Sequence, residues 1–398
     1  MKVLIVHDYG APCGGADHLS LGLRDALRRE GHDARLFASS ALPIPVANRA
    51  DYTCFGTVSR VRELLQIANP SALRRLRHVL AEFRPDVVHV CIYATQLSPL
   101  ILPALRGRPT ILHLHNYDQI CPTNSKLLPS GALCSFRPGL VCHRQRCVSA
   151  LGLARYVAQR GLTDHWRGVF DVVVSPSDWV SRRVRAEGLR VDTTIWNGVP
   201  EREARPALAG PPTIAYAGRL VAKKGVDVLL RAMAILAAEA PTVRMLVAGD
   251  GPQRPALQRL AAELGLETRV EFLGHLERDS MERVLGAAWV QAVPSVWEEP
   301  FGLVAAEAMM RGTATVTSRI GGLTELVTEG ETGYSVAPGD AATLAKALRL
   351  VLKDRGLAER LGAAARRLAV AELTERRCAE RFVELYHEVV AARSNRGR

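Results

Sequence analysis

The 398-residue chain is most informative first through what it lacks. No apolar run approaches the roughly eighteen residues needed to cross a bilayer. The opening MKVLIVHDYG turns polar too soon for a secretory leader and reads as a first strand, so the cytoplasm is the expected compartment. Neither half contains a complete G-x-G-x-x-G, which disfavours a dinucleotide-dependent oxidoreductase. There is no Asp-x-Asp pair to seat a divalent cation and no Cys-x2-Cys pair of the zinc-ribbon kind. Eight cysteines in a chain of this length do not make a disulfide scaffold. Nucleic acid is not an expected partner, since the chain has neither a reader motif nor a basic stripe interleaved with aromatics.

What is present is an ordinary globular composition, 48% hydrophobic and 23% charged, long enough for about two domains. The net charge of +12 is unevenly spread. Residues 1–200 hold 25 Lys or Arg against 15 Asp or Glu, whereas residues 201–398 hold 27 against 25. A basic first half suits an anionic partner such as a phosphate-bearing substrate or a lipid surface, or it reflects an arginine-rich composition.

Short, continuously apolar runs alternate with helical stretches: KVLIVH, DARLFA, DVVHV, PTILHLH and FDVVVSPS in the first half. Such runs suit parallel strands covered on both faces, and the alternation is that of a doubly wound sheet. A Pro- and Ala-rich stretch, residues 199–213, reads as a linker, after which the pattern restarts with TIAYAGRL, VRMLVAGDG, VEFLGHL, WVQAVPS, ATVTS and GYSVAP. The expected architecture is α/β. An N-terminal Rossmann-like domain (1–198) and a second (214–373) would face each other across a cleft, with a C-terminal helix (374–398) packing back on the first. Ligands of open α/β sheets bind beyond the carboxyl ends of the strands.

Charged residues gather where those strands end. Arg219 and Lys224 follow the first strand of the second half, a fork and a point charge suited to a diphosphate. In PSVWEEPFGLVAAEAM, Glu299 and Glu307 are separated by seven uncharged residues. Pro300 suits a first helical position, which would free the N–H groups of Phe301, Gly302 and Leu303 for an anion. At ~1.5 Å per residue Glu307 would lie roughly 10 Å along the axis from Glu299, where its carboxylate suits vicinal ribose hydroxyls or an ion pair with an arginine. In the first half, Gly14-Gly15 opens a helix after the first strand. His113 and His115 share one face of another strand, His115 nearer its end.

Taken in order, GG at 14–15, His115, NGV at 197–199, GRLVAKKG, GDGP, the E-x7-E of Glu299 and Glu307, EAMMRGTATV and GGLTELVTEGETGYSVAPGD resemble the family 4 retaining glycosyltransferases of the GT-B fold. The resemblance covers nearly the whole chain and is most specific over 214–339. It implies transfer of a sugar from a nucleoside-diphosphate donor, uridine before guanosine, to a hydroxyl acceptor. No cofactor or catalytic metal is required. Arg219, Lys224 and Gly15 would meet the diphosphate, Glu307 the ribose, and the backbone of Phe301, Gly302 and Leu303 sugar and phosphate. Glu299 and His115 would flank the transferred sugar. The acceptor implied is lipid-linked or polysaccharide in envelope assembly, with a small natural product as the alternative. Attack from the face the diphosphate leaves is the family's favoured route, with a double displacement on Glu299 as the alternative.

Two features fall outside that pattern. The loop ICPTNSKLLPSGALCSFRPGLVCHRQRC (within 116–147) carries Cys121, Cys134, Cys142 and Cys147 with His143, either reduced thiols or a tetrahedral structural zinc site. Residues 59–83 set Arg74, Arg75, Arg77 and His78 beside Leu73, Leu76, Val79 and Leu80, broken by Pro70. This is either a surface helix or a helix resting peripherally on anionic lipid. A non-hydrolysing nucleotide-sugar epimerase and a sugar-nucleotide-binding protein without turnover are the competing functions.

Overall fold

The computed structural model describes residues 1–240, 242–276 and 278–396. The chain divides into two compact units, one joining Met1–Gly198 to the segment from Glu375 onward, the other Val199–Thr374.

In the first unit the apolar runs become β1 (Lys2–Tyr9), β2 (Asp33–Ser39), β3 (Tyr52–Cys54), β4 (Val87–Val90), β5 (Thr110–His113), β6 (Val172–Ser175) and β7 (Thr193–Thr194). They pair in the order β3-β2-β1-β4-β5-β6-β7, every neighbour parallel. The second unit repeats the plan with β8 (Thr213–Ala217), β9 (Arg244–Ala248), β10 (Val270–Gly274), β11 (Val290–Val293), β12 (Ala314–Ser318) and β13 (Gly333–Val336). Their order is β10-β9-β8-β11-β12-β13, again all parallel. In each unit the winding direction reverses once, between β1 and β4 and between β8 and β11. Chain segments leaving those two strands in opposite directions open a crevice at their carboxyl ends.

The strands are mainly apolar because helices pack against the sheet. Val3 and Ile5 of β1 share a buried core with Leu27 of the helix Gly15–Arg29 and with Phe382 and Tyr386 of the helix Glu375–Arg396. Burial of side chains of this size contributes about 1.5–3 kcal/mol each. The last helix is therefore part of the first unit's core.

Two sequence expectations change. The stretch read as a linker packs onto the second unit. Leu208 is only 2% exposed in that unit's core, and its N–H donates to Glu359. Arg205 donates from its backbone N–H to Arg311 O and from Nε to Gly312 O. Likewise Pro70 does not break a helix but begins one, Pro70–Phe83, with the Asn69 side chain accepting from the Ala72 N–H as its cap. Leu76, Val79 and Leu80 on that helix are buried in the unit, so this apolar face is spent on the protein's own core rather than open to lipid. Among the described residues no helix is long and apolar enough to cross a membrane.

Candidate functional site

At the carboxyl edge of the second sheet four loops are tied together. The loop after β8 carries Arg219, exposed, and Lys224, half-buried, before Gly225. Its Lys223 carbonyl accepts from the Val296 N–H in the loop after β11, and the Lys223 ammonium lies 3.7 Å from the centroid of the Trp297 ring. The Leu220 N–H donates to Asp250 O, which joins the GDGP turn after β9. The Gly322 N–H donates to Glu299 O, which joins the turn after β12. The loops of the switch-point strands β8 and β11 are thus held by backbone bonds rather than left to wander.

Glu299 is 6% exposed, and its Oε1 accepts from Lys224 Nζ at 2.5 Å and from Ser295 Oγ at 2.6 Å. Burial alone would raise its pKa. The Lys224 charge, with the hydrogen bonds from Lys224 and Ser295, outweighs burial and holds the carboxyl below the usual carboxylate range. Two residues expected to face the ligand from separate loops are therefore bonded to each other. Neighbouring Glu298, passed over by the E-x7-E reading, is equally buried at 6%.

The helix after Glu299 starts later than expected. It spans Leu303–Arg311 with Gly302 as its cap, and Pro300 and Phe301 lie in the bend before it. Half of the stretch from Glu299 to Glu307 is consequently not helical, so the axial estimate of ~10 Å does not apply. Leu303 supplies the first N–H of the helix, and Phe301, 2% exposed, anchors the bend. Gly302 has φ +108°, and a Cβ there would sit 2.5 Å from Leu323 Cδ2, so both backbone and packing demand glycine. Glu307 sits half-buried on the second turn. Arg311, at the helix end, is buried and donates to Gln291 Oε1 and to Glu282, which makes it a brace for β11.

In the first unit Gly15 is exposed at the first position of its helix, with Gly14 as the extended cap residue. His115 follows β5, half-buried, its ring centroid 4.2 Å from that of His113 and 6.2 Å from that of His7. His7 Nε2 lies 2.6 Å from Asp17 Oδ1. Burial disfavours the His7 imidazolium, yet Asp17 and Cys91 beside it raise its pKa to about 10. Burial pushes His113 down to about 3, aided by His115. Cys91 is the reverse case. Burial would raise its thiol, but His89, His115 and His113 outweigh it and leave the pKa well below the ordinary value. Asn197 is 4% exposed and lines a small cavity with His113, His115 and Cys91.

All eight cysteines are free thiols. In the 116–147 loop, Cys121, Cys134 and Cys142 are buried, and burial together with these three neighbours raises the Cys147 pKa. The loop is stapled by Lys126, 1% exposed, whose Nζ donates to Phe136 O at 2.6 Å and to Glu187 Oε1 at 2.8 Å. Among the described residues, the metal-ready group of His, Cys and acidic side chains is His89, Cys91 and His113, whose ligand atoms all lie within 4.8 Å of one another. The loop sulfurs are not gathered that closely.

Known proteins match this chain in sequence and in fold. Residues 13–203 match the family model "Glycosyltransferase Family 4", and residues 200–368 match "Glycosyl transferases group 1". The chain belongs to the group 1, family 4 glycosyltransferases. It is 37% identical over 203 residues to the glycogen synthase of Mycobacterium tuberculosis, covering 50% of this chain and 49% of that protein. It is 42% identical over 160 residues to the D-inositol 3-phosphate glycosyltransferase of Nocardia farcinica, covering 38% of this chain and 35% of that one. The chain thus spans about half the length, or less, of the curated relatives it matches. In fold it is similar to sucrose-phosphate synthase from Thermosynechococcus elongatus, with a TM-score of 0.75, 24% identity, and coverage of 98% of this chain and 100% of that one. Anabaena HepE in complex with UDP-glucose superposes with a TM-score of 0.70 at 21% identity, over 98% of this chain and 100% of that one. Both units are therefore the parallel α/β domains of the GT-B class.

Proposed function

We propose that this protein transfers a sugar from a nucleoside-diphosphate donor, uridine diphosphate in preference to guanosine diphosphate, to a hydroxyl acceptor with retention of configuration. The observation that carries the reading is the fixed cluster at the β8–β11 switch point, where Lys224 is bonded to Glu299 beside the first turn of the helix Leu303–Arg311. In this reading Arg219, Lys224 and the helix N-terminus hold the diphosphate, and Glu307 takes the ribose hydroxyls. Glu299 and the backbone of Phe301 to Leu303 meet the sugar, while Gly15 and His115 of the first unit serve the diphosphate and the transferred sugar.

As the anomeric carbon–oxygen bond breaks, negative charge grows on the leaving diphosphate. Cations and amide N–H groups fixed beforehand at that point stabilise the transition state more than the ground state. The acceptor hydroxyl bonds to the anomeric carbon from the face the diphosphate leaves, and its proton passes to a phosphate oxygen. The role of counter-charge falls to Arg219 and Lys224, so transfer proceeds without an added divalent metal. A lipid-linked or polysaccharide acceptor in envelope assembly fits the basic first unit, with peripheral contact to anionic lipid as its setting and a small natural product as the other acceptor class.

A thermal-shift panel of nucleoside diphosphates, followed by transfer assays with and without acceptor, tests the reading. A diphosphate present at ~100 times its Kd stabilises by about 2.7 kcal/mol. Glu307→Ala should abolish that shift. An isomerised donor in the absence of acceptor would point instead to an epimerase, and no shift with any nucleotide would remove the proposal.

A further inference from the structure

Beyond the donor site, the first unit gathers four histidines and a cysteine at its own switch point. The parallel register explains how. Val90 of β4 pairs with Val6 of β1 and with Leu112 of β5, so one step further on Cys91 comes level with His7 and His113. His89 and Cys91 point to one face of the sheet, as do His113 and His115. The three middle side chains are buried, His89 at 0% and Cys91 and His113 at 3% exposed.

We propose that His89, Cys91 and His113 form a binding site for one borderline-soft cation of the Zn²⁺ class. His89 Nε2 and His113 Nδ1 are 3.2 Å apart, close to the ~3.3 Å that separates two nitrogens each about 2.0–2.1 Å from a tetrahedral zinc. Cys91 supplies the thiolate, its proton being released on binding. His89 Nδ1 lies 2.7 Å from the Tyr386 hydroxyl, the kind of outer partner that orients a ligating imidazole. When Nδ1–H donates to Tyr386, Nε2 presents its lone pair to the site.

Two further observations point to a ligand. His113 Nε2 and both ring nitrogens of His115 are buried without hydrogen-bond partners. Such groups are rare in folded proteins and call for a physical reason. A cavity of about 10 Å³, lined by Cys91, His113, His115, Asn197 and Phe382, adjoins them, with room for about one water-sized sphere. The cavity lies against two of the three ligands, Cys91 and His113, which leaves room beside them for a water as the fourth. The site does not depend on the sugar-transfer reading, because none of its three ligands belongs to the donor pocket.

The test is Co²⁺ titration of metal-free full-length protein, made in a Cys134→Ser/Cys147→Ser background to silence the loop. We expect one ion per chain, with tetrahedral d–d absorption and a thiolate-to-cobalt charge-transfer band, both abolished by competing Zn²⁺. Cys91→Ser should lose the charge-transfer band, His113→Asn should lose tight binding, and Tyr386→Phe should weaken affinity about tenfold. Circular dichroism checks that each variant is folded, and His113→Asn serves if Cys91→Ser is not. The proposal is overturned if the background protein fails to reach one ion per chain. It is equally overturned if the folded Cys91→Ser and His113→Asn proteins keep the unaltered cobalt spectrum.

Discussion

Lys224 Nζ lies 2.5 Å from Glu299 Oε1, so a loop cation and a buried carboxylate neutralise each other at the mouth of the second sheet. The pair is asymmetric, since the Lys224 side chain is 22% exposed and that of Glu299 only 8%. Removing the lysine strands a charge that water cannot reach, whereas removing the carboxylate leaves a lysine that can turn to solvent. Lys224→Met should therefore destabilise the protein by about 1–3 kcal/mol. Glu299→Gln should cost less, and the double variant should fall short of the sum when urea or thermal unfolding is followed.

The same pair sets a pH dependence. The Glu299 pKa is depressed in the folded protein, so its stabilising contribution is complete above the ordinary carboxylate value of about 4.3. That contribution is lost as pH falls through the lower native value. The Tm difference between wild type and Glu299→Gln should be flat near neutrality and shrink as the medium is acidified below about pH 4. A difference that grew on acidification would contradict the assignment.

Nucleotide binding should respond in the opposite sense to catalysis. With Glu299 uncharged, Lys224 no longer divides its attention between a carboxylate and a diphosphate. Glu299→Gln should keep or enlarge the uridine diphosphate thermal shift while sugar transfer falls by roughly tenfold or more, each tenfold being ~1.4 kcal/mol in barrier. Arg219→Ala should instead weaken the shift itself.

Gly321 tests how tightly the site is braced. Its φ is +63°, and a Cβ there would stand 2.3 Å from Glu299 O and 2.4 Å from Glu299 N. Gly321→Ala should cost about 1–2 kcal/mol for the left-handed backbone alone. It should also push the 298–301 bend out of place, seen as a reduced nucleotide shift in a protein that remains folded by circular dichroism.

The cysteine-bearing loop depends on one buried ion pair. The Lys126 and Glu187 side chains are 1% and 7% exposed. Lys126→Met should cost about 3–5 kcal/mol by isolating Glu187. Protease nicking and hydrogen exchange should then rise within residues 121–147, and Lys126→Met/Glu187→Leu should restore most of the protection.

Much of the fold was legible because buried strands are mainly apolar, as VVVS in β6 and VQAV in β11 are, apart from Ser175 and Gln291. The edge strands β3 and β7 escaped because three and two residues are too few to form a run. At Pro300 the usual preference of proline for a helix start misled, since the left-handed backbone of Gly302 caps a helix that starts three residues later, at Leu303. Arg219, Lys224 and Glu299, proposed for the donor, could be singled out because they lie on the loops that follow β8 and β11. Lys126 gave no such signal, because its partner lies 61 residues away. The cysteines gathered in one loop drew the zinc expectation, while His113 joins His89 and Cys91 only through the pairing of β4 with β5.

One consequence concerns where this protein tolerates alteration. The chain leaves the opening unit at Gly198 and returns to it at Glu375, so the second unit is an insert and the final helix completes what the first residues began. Shortening the tail to residue 374 would uncover Leu27 and strip away Phe382 and Tyr386, damaging the half farthest away in sequence and sparing the half next to the cut.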